Sequence, residues 1–116
     1  MTEEITFQEV LDRANKIIER YEKIEGKPWN AEGGVIELTK QVGELSKWIM
    51  AKEGYYFPDR AKMHPGYDVS DQKIADELAD IFRAVIRIAK YYKLDLLEAD
   101  NQACKEDNDV LVAKGV

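Results

Sequence analysis

The run from Ile74 to Tyr92 constrains this chain more than any other stretch. At about 100° per residue, Ile74, Leu78, Ile81, Val85, Ile88 and Tyr92 share one face of a helix, and Phe82 and Ala89 widen it. A stripe of that length has to be buried against other elements, which calls for a helical partner. The first turns of the same helix read Asp76-Glu77-Leu78-Ala79-Asp80. Glu77 lies at the edge of the stripe, within roughly 20° of Ile88 on the helical wheel, and Asp80 sits one step further round the same flank. A carboxylate beside the apolar face is expensive to desolvate without a cation. That cation is either a basic side chain or a metal ion.

The remaining chain supplies three more helical patterns. Thr6 followed by Glu9 is a capping box, and it opens a helix in which Phe7, Val10, Leu11, Ala14, Ile17, Ile18, Tyr21 and Ile24 recur at helical spacing. Gly26-Lys27-Pro28-Trp29-Asn30 breaks that pattern. With Asn30 as its expected cap, a second helix runs to about Lys52, and Val35, Leu38, Val42, Leu45 and Ile49 form its stripe. Glu53 to Val69 holds Gly54, Pro58, Pro65 and Gly66 and cannot be one continuous helix; connections this long are usually functional or mobile. Ser70 caps the Ile74–Tyr92 helix. A weaker fourth pattern begins near Asp95, with Leu96, Ala99 and Ala103 facing inward, and the tail from Asp107 is left without an assignment. The fold class expected is therefore all-α, a four-helix bundle-like single domain over residues 1–116.

Composition narrows the function classes. A chain of 116 residues with 45% hydrophobic and 34% charged residues has the balance of an ordinary soluble domain. No apolar run approaches the roughly 20 residues of a membrane span, and no signal-peptide pattern opens the sequence, so the cytoplasm is the expected compartment and no membrane partner is expected. The net charge of −6 argues against nucleic acid as a partner. Cys104, the single cysteine, rules out an internal disulfide or a cysteine-based zinc site and is expected to pack rather than react. His64, the single histidine, leaves no Glu-x-x-His pair for a di-iron bundle. Walker, Cys-x-x-Cys and Gly-x-Ser-x-Gly motifs are also missing from the sequence.

Two flanks remain to be explained. On the second helix Gln41 and Glu44 are displaced from their stripe by roughly 70° and 130°, and Glu77 and Asp80 are displaced from theirs by nearly the same angles in the same sense. If the helices pack antiparallel, all four fall on one side of the pair; a parallel pair would separate them. Converging carboxylates repel unless a cation lies between them, and hard oxygen ligands suit Mg²⁺, with Mn²⁺ as a substitute. The alternative is that Asp80 pairs with Arg83 along its own helix and Glu77 reaches outward to solvent.

The run Val42-Gly43-Glu44-Leu45 and the run Asp76-Glu77-Leu78-Ala79-Asp80-Ile81 resemble the MazG-like all-α nucleoside triphosphate pyrophosphohydrolases. That family carries Glu-x-x-Glu on one helix and Glu-x-x-Asp on the next. The resemblance covers roughly residues 29–108. It implies a MazG-type fold assembled as a homodimer or homotetramer, and a Mg²⁺-dependent hydrolase that splits a nucleoside triphosphate into the monophosphate and pyrophosphate. Glu44, Glu77 and Asp80 fall on the motif as catalytic metal ligands. Gln41 stands where the motif has its opening glutamate and Lys40 where an acidic residue often precedes it; Glu37, one turn earlier, is a substitute metal ligand acting through a water. Arg60 and Lys62 of the loop, or Lys40 and Lys47 of the second helix, are candidates for phosphate contacts, and Trp48, Tyr55, Tyr56 or Phe57 for stacking a nucleobase, with packing in the bundle core or a subunit interface as the alternative for these aromatics. The competing reading is a catalytically inactive helical protein of the same fold that binds a nucleotide or serves as an oligomeric module.

Overall fold

A computed structural model describes residues 4–67 and 69–116, and among these every regular element is helical. Four long helices are present: α1 (Phe7–Glu22), α2 (Asn30–Lys52), α4 (Asp71–Tyr91) and α5 (Leu96–Ala113). A short α3 (Arg60–Met63) and a 3₁₀ turn (Pro65–Tyr67) interrupt the connection between α2 and α4. Three of the starts follow from side-chain caps that satisfy an otherwise orphaned amide. Thr6 Oγ1 accepts from the Glu9 amide (3.1 Å), Ser70 Oγ from that of Lys73 (3.2 Å) and Asp95 Oδ1 from that of Glu98 (3.0 Å). The start of α2 differs from the expectation. Asn30 is its first residue rather than its cap and takes a left-handed φ of 54°, a region that asparagine tolerates better than most residues.

Helices α2 and α4 form the body of the molecule and run antiparallel. The direction is read from residues that face one another: Gly34 lies against Ile88, Trp48 beside Lys73, and Lys52 pairs with Asp71 at 2.6 Å, so each step up α2 is matched by a step down α4. Gly34 is what permits close approach at one end, because a Cβ there would stand 3.0 Å from Ile88 Cγ1. Helix α1 packs against α4, where Leu11, Ala14 and Ile18 bury themselves with Ile86, and the Phe7 and Phe82 rings stack at 6.2 Å. Just beyond α1, Glu25 forms a two-pronged ion pair with Arg87 of α4, and both side chains are largely buried. The Arg87 guanidinium also lies 3.9 Å from the centre of the Trp29 ring, so the turn between α1 and α2 is fastened to α4.

The helices are rotated relative to the expected arrangement. Val35, Val42 and Ile49 of the α2 stripe, and Leu78 of the α4 stripe, are exposed, while Gly34 and Glu77 are buried. The seam runs instead along the flank: Leu38, Gln41, Leu45 and Trp48 are half-buried on α2, as are Ile81 and Ile88 beside buried Ala84 on α4. These residues follow alternating three- and four-residue steps, the spacing of antiparallel coiled-coil seams. Gly34 lets the two helices approach closely on that side, and the bulkier stripe is left uncovered.

Helix α5 also departs from expectation. Leu96 and Leu97 pack partly against the α1–α4 core, but every residue from Glu98 onward is exposed, including Ala99, Ala103 and Cys104. The helix runs through the tail left open by the sequence and leaves the body. The Cα radius of gyration is accordingly 18.2 Å, against about 13 Å for a compact chain of this length. None of the described helices is long and apolar enough to cross a membrane.

Candidate metal and nucleotide site

Glu77 is the one buried charged residue among those described, with 7% of its surface exposed. Its Oε1 is occluded and has no hydrogen-bond partner among the described residues. The rotation of α4 puts it there: the same turn that exposes Leu78 carries Glu77 into the α2–α4 seam. Burial raises the Glu77 pKa above its ordinary value, and the negative charges of Asp80 and Glu44 push it further in the same direction; Lys40 opposes them. Two residues of α2 and one neighbour on α4 therefore act on a single carboxylate across the seam. Of the matched flanks read from the sequence, Gln41 of α2 and Asp80 of α4 line one cavity. Asp80 makes no ion pair with Arg83 among the described residues, so the local pairing weighed as an alternative is not formed.

The other members of the expected ligand set are differently engaged. Glu37 accepts from Gln41 Nε2 at 2.7 Å on one carboxylate oxygen and from Lys40 Nζ at 3.0 Å on the other. Lys40, which stands where an acid often precedes the motif, thus pairs with Glu37, and its positive charge works against the rise at Glu77. Gln41 turns its amide nitrogen, not its oxygen, to Glu37. Among the described residues, no three acidic, histidine or cysteine side chains stand close enough together to form a finished ligand cage. The donor chemistry nonetheless fits a hard divalent ion. Oxygen ligands, an orphaned buried carboxylate and a nearby excess of negative charge are what Mg²⁺ relieves while keeping several of its waters.

Beside the carboxylates, toward the N-terminus of α4, lies a group of aromatic rings and cations. Lys73 Nζ stands 4.2 Å and Lys47 Nζ 4.7 Å from the Trp48 ring centre, and Lys47 is also 4.8 Å from that of Tyr67. The 3₁₀ turn brings Tyr67 to this point and Gly66 close to the edge of Trp48. Arg60 of α3 lies against the rings of Tyr56 (4.3 Å) and Tyr67 (4.5 Å), which meet edge-on, and donates to the Tyr67 hydroxyl at 3.2 Å. Lys62, by contrast, is 84% exposed and reaches only Asp59 at 3.6 Å, so nothing brings it to the groove. Tyr55 and Phe57 are exposed.

On the other side of the carboxylates a cavity of about 420 Å³ opens between the end of α1 and the α2–α4 pair. Gln41, Glu37 and Asp80 line it together with Trp29, Arg83 and Arg87. Lys73, Arg83, Arg87 and Trp29 were not singled out for a site from the sequence. Lys73 had a usable signal, since it lies one turn before Glu77 on the same face. The two arginines had none, because their place depends on where α1 ends and crosses α4.

Comparison of the chain with models of known protein families, with curated proteins and with solved structures finds no match.

Proposed function

We propose that the protein is a Mg²⁺-dependent nucleoside triphosphate pyrophosphohydrolase of MazG-like fold, with Mn²⁺ able to replace Mg²⁺. The observation that carries this reading is Glu77, a buried carboxylate with an unpartnered oxygen whose charged neighbours include two further acids. A structural role would supply it with a basic partner of its own; Lys40 is instead held by Glu37. The resemblance of residues 42–45 and 76–81 to the family's two motifs points the same way.

Glu44, Glu77 and Asp80 would hold the ion. When bound, it supplies neutralisation of the phosphate oxygens and a lowered pKa for a water. The protein's own groups do the rest. Lys47 and Lys73 beside Trp48 offer cations to the phosphate chain on one side of the carboxylates, with Arg60 behind them. A carboxylate of the trio takes the proton of the attacking water. The water oxygen bonds to the α-phosphorus, the bond to the bridging oxygen breaks, and its electron pair leaves with pyrophosphate.

The exposed apolar residues Val35, Val42, Ile49 and Leu78, and a helix α5 that touches little of its own chain, support assembly as a homodimer or homotetramer. One observation favours the second reading, a non-catalytic nucleotide-binding or oligomeric module of the same fold. The Lys40–Glu37–Gln41 chain withdraws two positions from metal binding.

Pyrophosphate release from a panel of ribo- and deoxynucleoside triphosphates, with Mg²⁺ or Mn²⁺, separates the two. The expected result is metal-dependent release that Glu77→Ala abolishes without loss of helical structure. No turnover with any substrate by a folded protein would overturn the enzymatic reading, and a fully active Glu77→Ala would overturn the site.

A further inference from the structure

The amide at position 41 is set up to read a base edge. A carboxylate oxygen can only accept a hydrogen bond, so the 2.7 Å contact with Glu37 fixes which end of the Gln41 amide is nitrogen. Lys40, on the second Glu37 oxygen at 3.0 Å, holds that carboxylate in place. Gln41 is thereby left with Oε1, to which no donor comes among the described residues, and with one remaining N–H. An acceptor and a donor side by side form the pattern with which a glutamine recognises a nucleobase. A neutral amide that turns its nitrogen to a neighbouring acid is poorly placed to ligate a cation.

What surrounds Gln41 fits the same ligand. The cavity of about 420 Å³ falls in the roughly 300–1,000 Å³ range of small-molecule sites. Ile18, Tyr21 and Ala84 give it apolar walls. The Trp29 ring is fixed by the Arg87 guanidinium, which Glu25 holds in turn, so an aromatic surface is ready without reorganisation. Arg83 lines the cavity with no carboxylate partner among the described residues, a donor for a sugar or base oxygen. Asp80 belongs to both the cavity and the acidic trio, so a nucleotide whose phosphates lie at the carboxylates has its base directed here.

We propose that this cavity seats the base of the substrate nucleotide and that Gln41, oriented by Glu37, is a specificity residue reading the base edge and not a metal ligand. The proposal rests on the pyrophosphohydrolase reading for the position of the phosphates. Cytosine and uracil test it, because C4 carries an amino group in one and a carbonyl in the other, and N3 is an acceptor in one and an N–H donor in the other. At the C4 substituent, Gln41→Glu exchanges the amide N–H for a second acceptor, which can still take the cytosine amino group but repels the uracil carbonyl. The expected result is a rise of about ten-fold in the ratio of kcat/KM for CTP over UTP, with the Mg²⁺ concentration for half-maximal rate unchanged. Gln41→Leu is expected to bring the ratio toward one.

If both variants scale CTP and UTP alike, or if Gln41→Glu tightens Mg²⁺ dependence at a fixed ratio, the proposal is overturned and Gln41 belongs to the metal site. Should the parent turn over no nucleotide, the enzymatic reading fails by itself, and the cavity is tested separately with cytidine and uridine in EDTA. Saturable shifts of the Trp29 indole N–H resonance would uphold base binding; no shift with either nucleoside up to about 5 mM would refute it.

Discussion

Replacing Glu77 with leucine should make the metal-free protein more stable. The side chain is 7% exposed, its Oε1 lacks a partner, and the charges of Asp80 and Glu44 act against it. Leaving one buried polar group unsatisfied costs about 1–3 kcal/mol, and leucine of similar size removes that cost while adding apolar contact in the seam. For a chain of this length the gain corresponds to a rise in Tm of roughly 5–10 °C. Thermal unfolding in EDTA at pH 7.5 measures it directly. Divalent ion should reverse the order: at a hundred times its Kd it stabilises the parent by about 2.7 kcal/mol and leaves Glu77→Leu unmoved. The pH dependence carries a definite sign. Because the folded pKa is raised, the native state binds the proton more tightly than the unfolded chain, and stability falls as pH rises through the folded pKa. The advantage of Glu77→Leu over the parent should therefore shrink as pH is lowered toward the ordinary glutamate range. A lower Tm for Glu77→Leu in EDTA would refute the reasoning, since it would mean that the carboxylate has a structural partner.

Three other outcomes follow from the packing. Arg87→Ala leaves Glu25 buried without its partner and frees Trp29, and should cost about 3 kcal/mol in urea unfolding; a loss below about 1 kcal/mol would show the latch to be incidental. Gly33→Ala places a Cβ 2.5 Å from Trp29 Cβ, so it should destabilise by about 1–3 kcal/mol despite alanine's better helix propensity, as read by the thermal midpoint. Sedimentation at micromolar concentration should show at least a dimer, and Leu78→Glu, a charge on the uncovered face, should dissociate it while helical content is retained.

Much of the fold was legible because its signals are local. Thr6, Ser70 and Asp95 cap the helices they were expected to open, since a short polar side chain beside an apolar run satisfies a backbone amide whatever the tertiary context. Lys52 ends α2 where the glycine after it suggests. The rotation of the helices was not legible, because a stripe records where apolar residues lie and not how they are shared among neighbours; the close approach at Gly34 favours the flank over the stripe. Within the site, the influence of Asp80 and Glu44 on Glu77 is what an antiparallel pairing leads one to expect, whereas the tie between Gln41 and Glu37 depends on rotamers that spacing does not specify. Arg83 and Arg87 reach the cavity only because α1 ends at Glu22 and the chain turns back through Trp29.

Mn²⁺ binding followed by electron paramagnetic resonance, on the parent and on Glu77→Gln and Asp80→Asn, probes the acidic groove most directly. The expected result is saturable binding by the parent, strengthened by a non-hydrolysable nucleoside triphosphate and weakened at least ten-fold in each variant. A parent that binds no Mn²⁺ with nucleotide present, or variants that bind it as tightly, would contradict the assignment of these carboxylates to a metal site.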